Sequence, residues 1–298
     1  MELEKIAEIG FNSLKQAYYV QRELLEQGTI AQLVLKGTGE DKATKGDWES
    51  EEAVINYLKR EIFPGRIISE EHGQIDVIKN PQYLAILDGI DGSSALVKDP
   101  NTRCGTILTI SDKLNPTYDH FIFSGITEYI TKRIVYGVKR KGVWLVENLD
   151  ENETMRKLPY FKDKKFSSDM TIKIDCYNVS YAPGITKGMS QFEEFMNENV
   201  VSKLKGKMNL TGSITNSEMS IDLLLGKVDA VAHIVAKGVF EPPNTYLLTS
   251  ELGGYACDLK GYQLWSKEWK PVGMNIDACI FSSSYDIGKT IIDFLQNS

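Results

Sequence analysis

Leu87-Asp88-Gly89-Ile90-Asp91-Gly92-Ser93-Ser94 carries an apolar run into two aspartates three residues apart, then a glycine and two hydroxyl residues. The run from Tyr83 to Leu87 is apolar throughout and has turn signals around it, the pattern of a buried strand. A strand end fixes the two carboxylates, and Gly92 permits close approach of the backbone to a ligand. Ser93 and Ser94 can open a helix whose free amides face an anion. This arrangement suits a phosphate held through a metal ion. The same residues also make a helix-capping turn with solvated acids, and on this stretch alone the two readings weigh evenly.

A second apolar run, Ile67-Ile68, likewise ends in acid, at Glu70-Glu71, and carboxylates at strand ends collect in a cleft. Ahead of it, Ile6, Ile9, Leu14, Ala17, Tyr18, Leu24 and Leu25 recur at helical spacing, with Gly28 where a C-terminal cap sits. Lys36 to Lys42 reads as an exposed loop. Trp48, Val54, Ile55, Leu58 and Ile62 predict a second helix, which Phe63-Pro64-Gly65 stops because proline disfavours helical geometry in the residue before it. From Cys104 to Val146 short apolar runs follow one another, predicting an antiparallel meander with a hairpin turn at Lys141-Gly142. Glu147 to Met170 is polar and contains Pro159, so the seam between two subdomains is placed there, residues 1–160 carrying the metal and phosphate site and residues 161–298 the substrate side. Beyond the seam, strands over Thr171 to Cys176, Val228 to Val235, Tyr255 to Leu259 and Cys279 to Phe281 alternate with helices over Ser217 to Leu225 and Ile287 to Phe294.

Composition narrows the class. Hydrophobic residues at 42% and charged residues at 25% of 298 exclude disorder and fibrous architectures. A net charge of -7 argues against a broad grip on a nucleic acid polymer or an anionic membrane, although a cation can still mediate phosphate binding. The start, Met1 to Ile9, lacks the basic and apolar regions of a signal peptide, and no apolar run reaches membrane-spanning length, so a cytoplasmic protein is expected. Cys104, Cys176, Cys257 and Cys279 form no Cys-x-x-Cys pair and read as buried free thiols. His72, His120 and His233 are scattered, which leaves carboxylates as metal ligands and magnesium, manganese or calcium as the metal.

Thr44-Lys45-Gly46-Asp47, Glu51, Phe63-Pro64, Ile67 to Glu71, the double aspartate, Gly238-Val239-Phe240-Glu241 and Glu251-Leu252-Gly253-Gly254 follow in an order and spacing that resemble the inositol monophosphatase and fructose bisphosphatase-like family, over roughly residues 40 to 260. The resemblance implies an α/β chain of alternating helix and sheet layers, an αβαβα sandwich. It implies a magnesium-dependent, typically lithium-sensitive phosphate monoesterase with two or three metal ions, acting on an inositol phosphate, a fructose bisphosphate or a nucleotide 3'-phosphate. Carried over residue by residue, Glu70, Asp88 and the carbonyl of Ile90 would hold a first metal, and Asp88, Asp91 and Glu241 a second. Asp47 and Ser93 would orient or deprotonate the attacking water, with Glu70 completing the catalytic set. The amides of Gly92, Ser93 and Ser94 would cradle the phosphate, and Lys36 and its loop would close near a third metal at Glu70. Physical chemistry agrees: five carboxylates brought together without a cation repel one another.

Departures from the family bear on the substrate. Glu241 stands where the family has aspartate, which could favour manganese, and Pro242 and Pro243 follow it in a helical turn that tolerates proline. His233 falls where inositol-specific members place a carboxylate. Lys237 could meet a second phosphate, and Gly212-Ser213 resembles the substrate-side Gly-Ser, so Asp91, Ser213, His233 and Lys237 are the substrate-facing set. Ala95 stands where relatives often carry asparagine. These features favour a sugar bisphosphate or broad-specificity enzyme over an inositol enzyme; the rival reading is a catalytically weak member that binds a phosphorylated metabolite or a protein. The family often forms dimers, and the hydrophobic content allows a homodimer.

Overall fold

The computed structural model describes residues 1–35, 42–175, 198–234, 240–270 and 278–297. Helix α1 (Leu3–Glu26) buries the stripe predicted for it, from Ile6 and Ile9 through Leu14, Ala17 and Tyr18 to Leu24. Gly28, at φ +68°, takes the left-handed turn that follows it. A short hairpin, β1 (Leu33–Leu35) and β2 (Lys42–Thr44), leads into α2 (Lys45–Arg60). Thr44 caps α2, its side chain accepting from the Asp47 N–H at 3.0 Å, while Lys59 and Arg60 in the last turn complement the helix dipole.

The strands that follow are β3 (Gly65–Ser69), β4 (Gly73–Asp76), β5 (Tyr83–Asp91), β6 (Gly105–Ser111), β7 (Phe121–Glu128), β8 (Arg133–Val138), β9 (Gly142–Glu147) and β10 (Thr154–Lys157). They form one sheet in the order β10-β9-β8-β7-β6-β5-β3-β4. Strands β6 to β9 are the expected antiparallel meander, and β3 and β5 are its parallel pair. Beyond β11 (Thr171–Asp175), β12 (Asn209–Ser213), β13 (Ala230–His233), β14 (Tyr255–Asp258) and β15 (Cys279–Ser282) make a second sheet in the order β12-β11-β13-β15-β14.

Helices α1 and α2 pack on the outer face of the large sheet. Helices α5 (Asn216–Leu224) and α6 (Glu241–Glu251) lie between the sheets, and α4 (Glu198–Leu204) and α7 (Tyr285–Asn297) cover the small sheet, α3 being the short Ser93–Lys98 helix after β5. The layers run αβαβα, as the resemblance implied. The cores match the layers: Leu14, Tyr18, Leu58 and Phe123 pack under the outer helices, Met219, Phe121 and Phe281 between the sheets, and Ile174, Leu204 and Ile291 beneath α7. Among the described residues no helix is long and apolar enough to cross a membrane.

The polar segment read as a seam is part strand. Thr154–Lys157 pairs antiparallel with β9 as the fully exposed edge of the large sheet, and its polarity is that of an edge strand facing solvent. The large sheet ends at Lys157 and the small one starts at Thr171. Strand β12, parallel to β11, and the β1–β2 hairpin had no sequence signal. Cys104, Cys257 and Cys279 are buried free thiols, while Cys176 lies outside the described residues.

An ion network joins the two sheets. Arg103, just ahead of β6, donates to Glu128 of β7 at 2.9 Å and to Asp222 of α5 at 3.0 Å. Arg133 of β8 donates to Glu128 at 2.7 Å, and Lys173 of β11 reaches Glu218 at 2.9 Å and Asp222 at 2.5 Å. Burial pushes the Asp222 carboxyl up, but Lys173 and Arg103 outweigh it and hold the group below the usual carboxylate range. Glu128 is fully buried between two arginines. Replacing it with glutamine leaves the Arg133 guanidinium without its carboxylate and takes one of three acids from Arg103, so Glu128→Gln is expected to lower unfolding stability by about 3 to 5 kcal/mol, read as a fall in the urea midpoint.

Candidate metal and phosphate site

The parallel register of β3 and β5, with Ser69 opposite Leu87, sets the residue after each strand side by side: the Glu70 N–H bonds to the Leu87 carbonyl at 3.1 Å, next to Asp88. Glu51, one turn along α2 from Asp47, holds that turn. Its fully buried carboxylate accepts the N–H groups of Glu70 and Glu71, each at 3.0 Å, the Ser69 hydroxyl, and His72 Nδ1 at 2.9 Å. The His72 ring rests on Trp48 with centroids 4.0 Å apart.

In a regular strand, residues three apart face opposite sides. Between Asp88 and Asp91, β5 has one residue more than β6, since Asp88 pairs with Ile107 and Asp91 with Gly105. This bulge changes the alternation, and the two carboxylates come to one place. The freed Gly89 carbonyl accepts from the Thr106 hydroxyl at 2.7 Å and from Gln21 Nε2 at 3.1 Å, reaching across from α1. A Cβ on Gly89 would lie 2.3 Å from the Asp47 carbonyl, so only glycine fits there. The Ile90 N–H donates to Asp47 Oδ1 at 2.7 Å and ties the start of α2 to the bulge. Gly92 then turns at φ +93° to open α3, with Ser93 and Ser94 half-buried in its first turn.

The other side comes from the helices between the sheets. The Ser217 N–H donates to Asp91 Oδ2 at 2.6 Å. The Asn216 side-chain amide donates to Asp91 Oδ1 and to Glu241 Oε1, both at 3.1 Å. Glu241 is the first residue of α6, with Pro242 and Pro243 accommodated behind it. Carboxylate oxygens of Asp88, Asp91 and Glu241 all lie within 4.8 Å of one another, and each residue is less than a tenth exposed. Glu70 stands at the mouth, more exposed than these three.

Burial pushes Asp47 and Asp88 well above the usual carboxylate range, and the nearby Glu70 charge adds to both. Asp88 Oδ1 is buried and accepts no hydrogen bond among the described residues. An orphaned carboxylate oxygen within a buried all-oxygen cluster fits a hard divalent cation such as magnesium or manganese.

The substrate-facing set is spread more widely. His233 ends β13, buried, with its ring edge-on to Phe281 at 5.3 Å. Ser213 ends β12, and its hydroxyl lies 3.0 Å from the Thr215 carbonyl and 2.7 Å from Glu218 Oε2, joining the cap of α5 to the ion network. Lys36 and Lys237 lie outside the described residues. Sequence reasoning missed Gln21, Thr106 and Asn216. Gln21 had a signal, as a polar residue on the buried face of α1; Asn216 lay one residue ahead of the helix read from Ser217.

A raised folded-state pKa means the folded protein binds more protons than the unfolded chain above about pH 4. The contribution of these two groups to the stability of the metal-free protein is therefore greatest in acid and is lost as pH rises toward the raised values of Asp47 and Asp88. Asp88→Asn is expected to raise the metal-free melting temperature at pH 7.5 (about neutral) by a few degrees and to flatten this pH dependence. Magnesium should stabilise the natural chain increasingly with pH and the variant scarcely at all, as thermal melts with and without chelator will show.

No protein-family model matches the sequence, and no curated protein matches it in sequence. Solved structures match it over nearly its full length. An IMPase/NADP phosphatase complexed with Mg2+ and phosphate aligns with a TM-score of 0.70 at 16% identity, covering 99% of this chain and 97% of that one. Inositol monophosphatase from Anabaena (Nostoc) gives 0.69 at 14% identity, over 100% and 97%. The extragenic suppressor protein SuhB from Bartonella henselae gives 0.69 at 14%, over 97% and 98%. The chain has the fold of the inositol monophosphatases.

Proposed function

We propose that the protein is a divalent-metal-dependent phosphate monoester hydrolase acting on a small phosphorylated sugar, polyol or nucleotide. The observation that carries this reading is the buried Asp88, Asp91 and Glu241 cluster with its orphaned Asp88 oxygen, set at the opening of α3. The fold supports it, since a neighbour that shares it was solved with Mg2+ and phosphate and another with inositol monophosphate. Asp88, Asp91 and Glu241 would hold the metal, with Glu70 and the Ile90 carbonyl joining them where further ions bind. A bound divalent cation supplies charge neutralisation of the phosphate and a lowered pKa for water.

The protein's own groups do the rest. Asp47, tethered to the Ile90 N–H, has a proton affinity raised by burial and by Glu70, and in its ionised form it is the base that orients water and takes its proton, with the Ser93 hydroxyl as partner. The amides at Gly92, Ser93 and Ser94 receive the phosphate oxygens where the left-handed turn opens α3. Ser213 is engaged within its own turn and acts by shaping the substrate edge, which His233 lines. Lys237, in the segment before α6, would take a second phosphate, which favours a bisphosphate over inositol monophosphate.

Phosphate release from fructose 1,6-bisphosphate, inositol monophosphate and adenosine 3',5'-bisphosphate, with magnesium, manganese or chelator, tests the reading. Turnover is expected to need the metal, to be fastest on a bisphosphate, and to fall at least about 100-fold in Asp91→Asn and in Asp47→Asn. No turnover on any of the three with either metal would overturn it for these substrates and leave a phosphometabolite-binding protein as the better account.

A further inference from the structure

Asn216 is fully buried, and one side-chain nitrogen serves two carboxylates: Nδ2 lies 3.1 Å from Asp91 Oδ1 and 3.1 Å from Glu241 Oε1. A primary amide has two N–H bonds in one plane at a fixed angle, so donating one to each acid sets the separation of the acids. The two acids have separate origins. Asp91 comes from the bulged end of β5 in the large sheet, and Glu241 from the start of α6, the helix between the sheets. Asp91 has a second anchor in the Ser217 N–H at 2.6 Å. Glu241 has one more rotatable bond than an aspartate, and its head group is steered by the amide.

Asn216 is itself firmly seated. It is the first residue of α5, behind the Thr215 cap, whose hydroxyl donates to the Arg103 carbonyl at 2.8 Å. Arg103 in turn belongs to the ion network that joins the sheets. The donor is also of the right charge type. A lysine at this place would hold both acids and neutralise them, competing with any cation. A neutral amide orders two anions and leaves their charge for a metal.

We propose that Asn216 is a positioning residue that spaces Asp91 and Glu241 for a divalent cation. It acts through the two carboxylates it bonds. The proposal rests on the metal-site reading of Asp88, Asp91 and Glu241, whose independent support is the buried, unpartnered Asp88 Oδ1.

The test is manganese binding by the full chain, followed through the electron paramagnetic resonance signal of free Mn2+, with circular dichroism and melting of the metal-free protein as controls. Asn216→Leu keeps the branched shape and removes both donors; Asn216→Ser keeps one donor. Loss of an outer ligand partner weakens metal affinity by about 10- to 100-fold, so Asn216→Leu is expected to fall in that range and Asn216→Ser between it and the natural chain. Both should regain turnover at saturating metal, shifting the metal concentration required more than the maximal rate. A space-filling role would move the melting temperature and leave manganese affinity alone, and Asn216→Leu binding as tightly as the natural chain would overturn the proposal. If Asn216→Leu fails to fold, Asn216→Ser decides, equal affinity again overturning it. Manganese binding in the natural chain that Asp91→Asn abolishes, together with unchanged Asn216 variants, would sink this inference alone; no binding in the natural chain would sink the metal site and the inference with it.

Discussion

Asp47, Asp88, Asp91 and Glu241 are buried where water cannot screen them, and Glu70 adds its charge at the opening. Like charges held this close in a poorly polarisable interior repel, and each loses its hydration on entering. Much of the architecture around them can be understood as the means of holding them there. The bulge in β5 gives Asp88 and Asp91 a common direction, the start of α5 presents the Ser217 N–H to Asp91, the Ile90 N–H donates to Asp47 at the start of α2, and Gln21 and Thr106 hold the displaced Gly89 carbonyl. Helix starts are suited to this work, because their unpaired amides and dipole both favour negative charge.

The same logic, with the opposite outcome, runs through the interface between the sheets. There Glu128, Glu218 and Asp222 are also largely withdrawn from solvent, but each faces arginine or lysine at hydrogen-bonding distance. One acidic group is answered within the chain and rigidifies the join. The other accepts from neutral donors, the Ser217 N–H, the Ile90 N–H and the Asn216 amide among the described residues, and that difference in partners separates a structural acid cluster from one suited to receive a cation.

Much of this was legible in the residues. Where a buried run is continuous, as in β5, or where an apolar stripe repeats at helical spacing, as in α1, pattern and structure agree because burial itself makes the pattern. Strand β10 escaped because an exposed edge strand has no face to bury, and β12 because its register comes from pairing with β11. The acids of the site were legible for a similar local reason: Asp88 and Asp91 adjoin a strand end and can be recognised without knowing what they meet. Asn216 could not be recognised in that way. Its two hydrogen bonds span 125 and 25 residues, and nothing near it in sequence shows that two carboxylates will arrive beside it.

That separation carries a consequence for how the molecule assembles. The Ser217 N–H and the Asp91 carboxylate are 126 residues apart in the chain, and Glu241 lies farther still. Contacts between such distant segments cost more loop entropy than local ones. Until α5 and α6 dock, the large sheet can complete its meander and outer helices while presenting Asp88 and Asp91 without their partners. The acid cluster is complete only when α5 and α6 are docked, and affinity for a divalent ion reports that docking as much as it reports the ligands themselves.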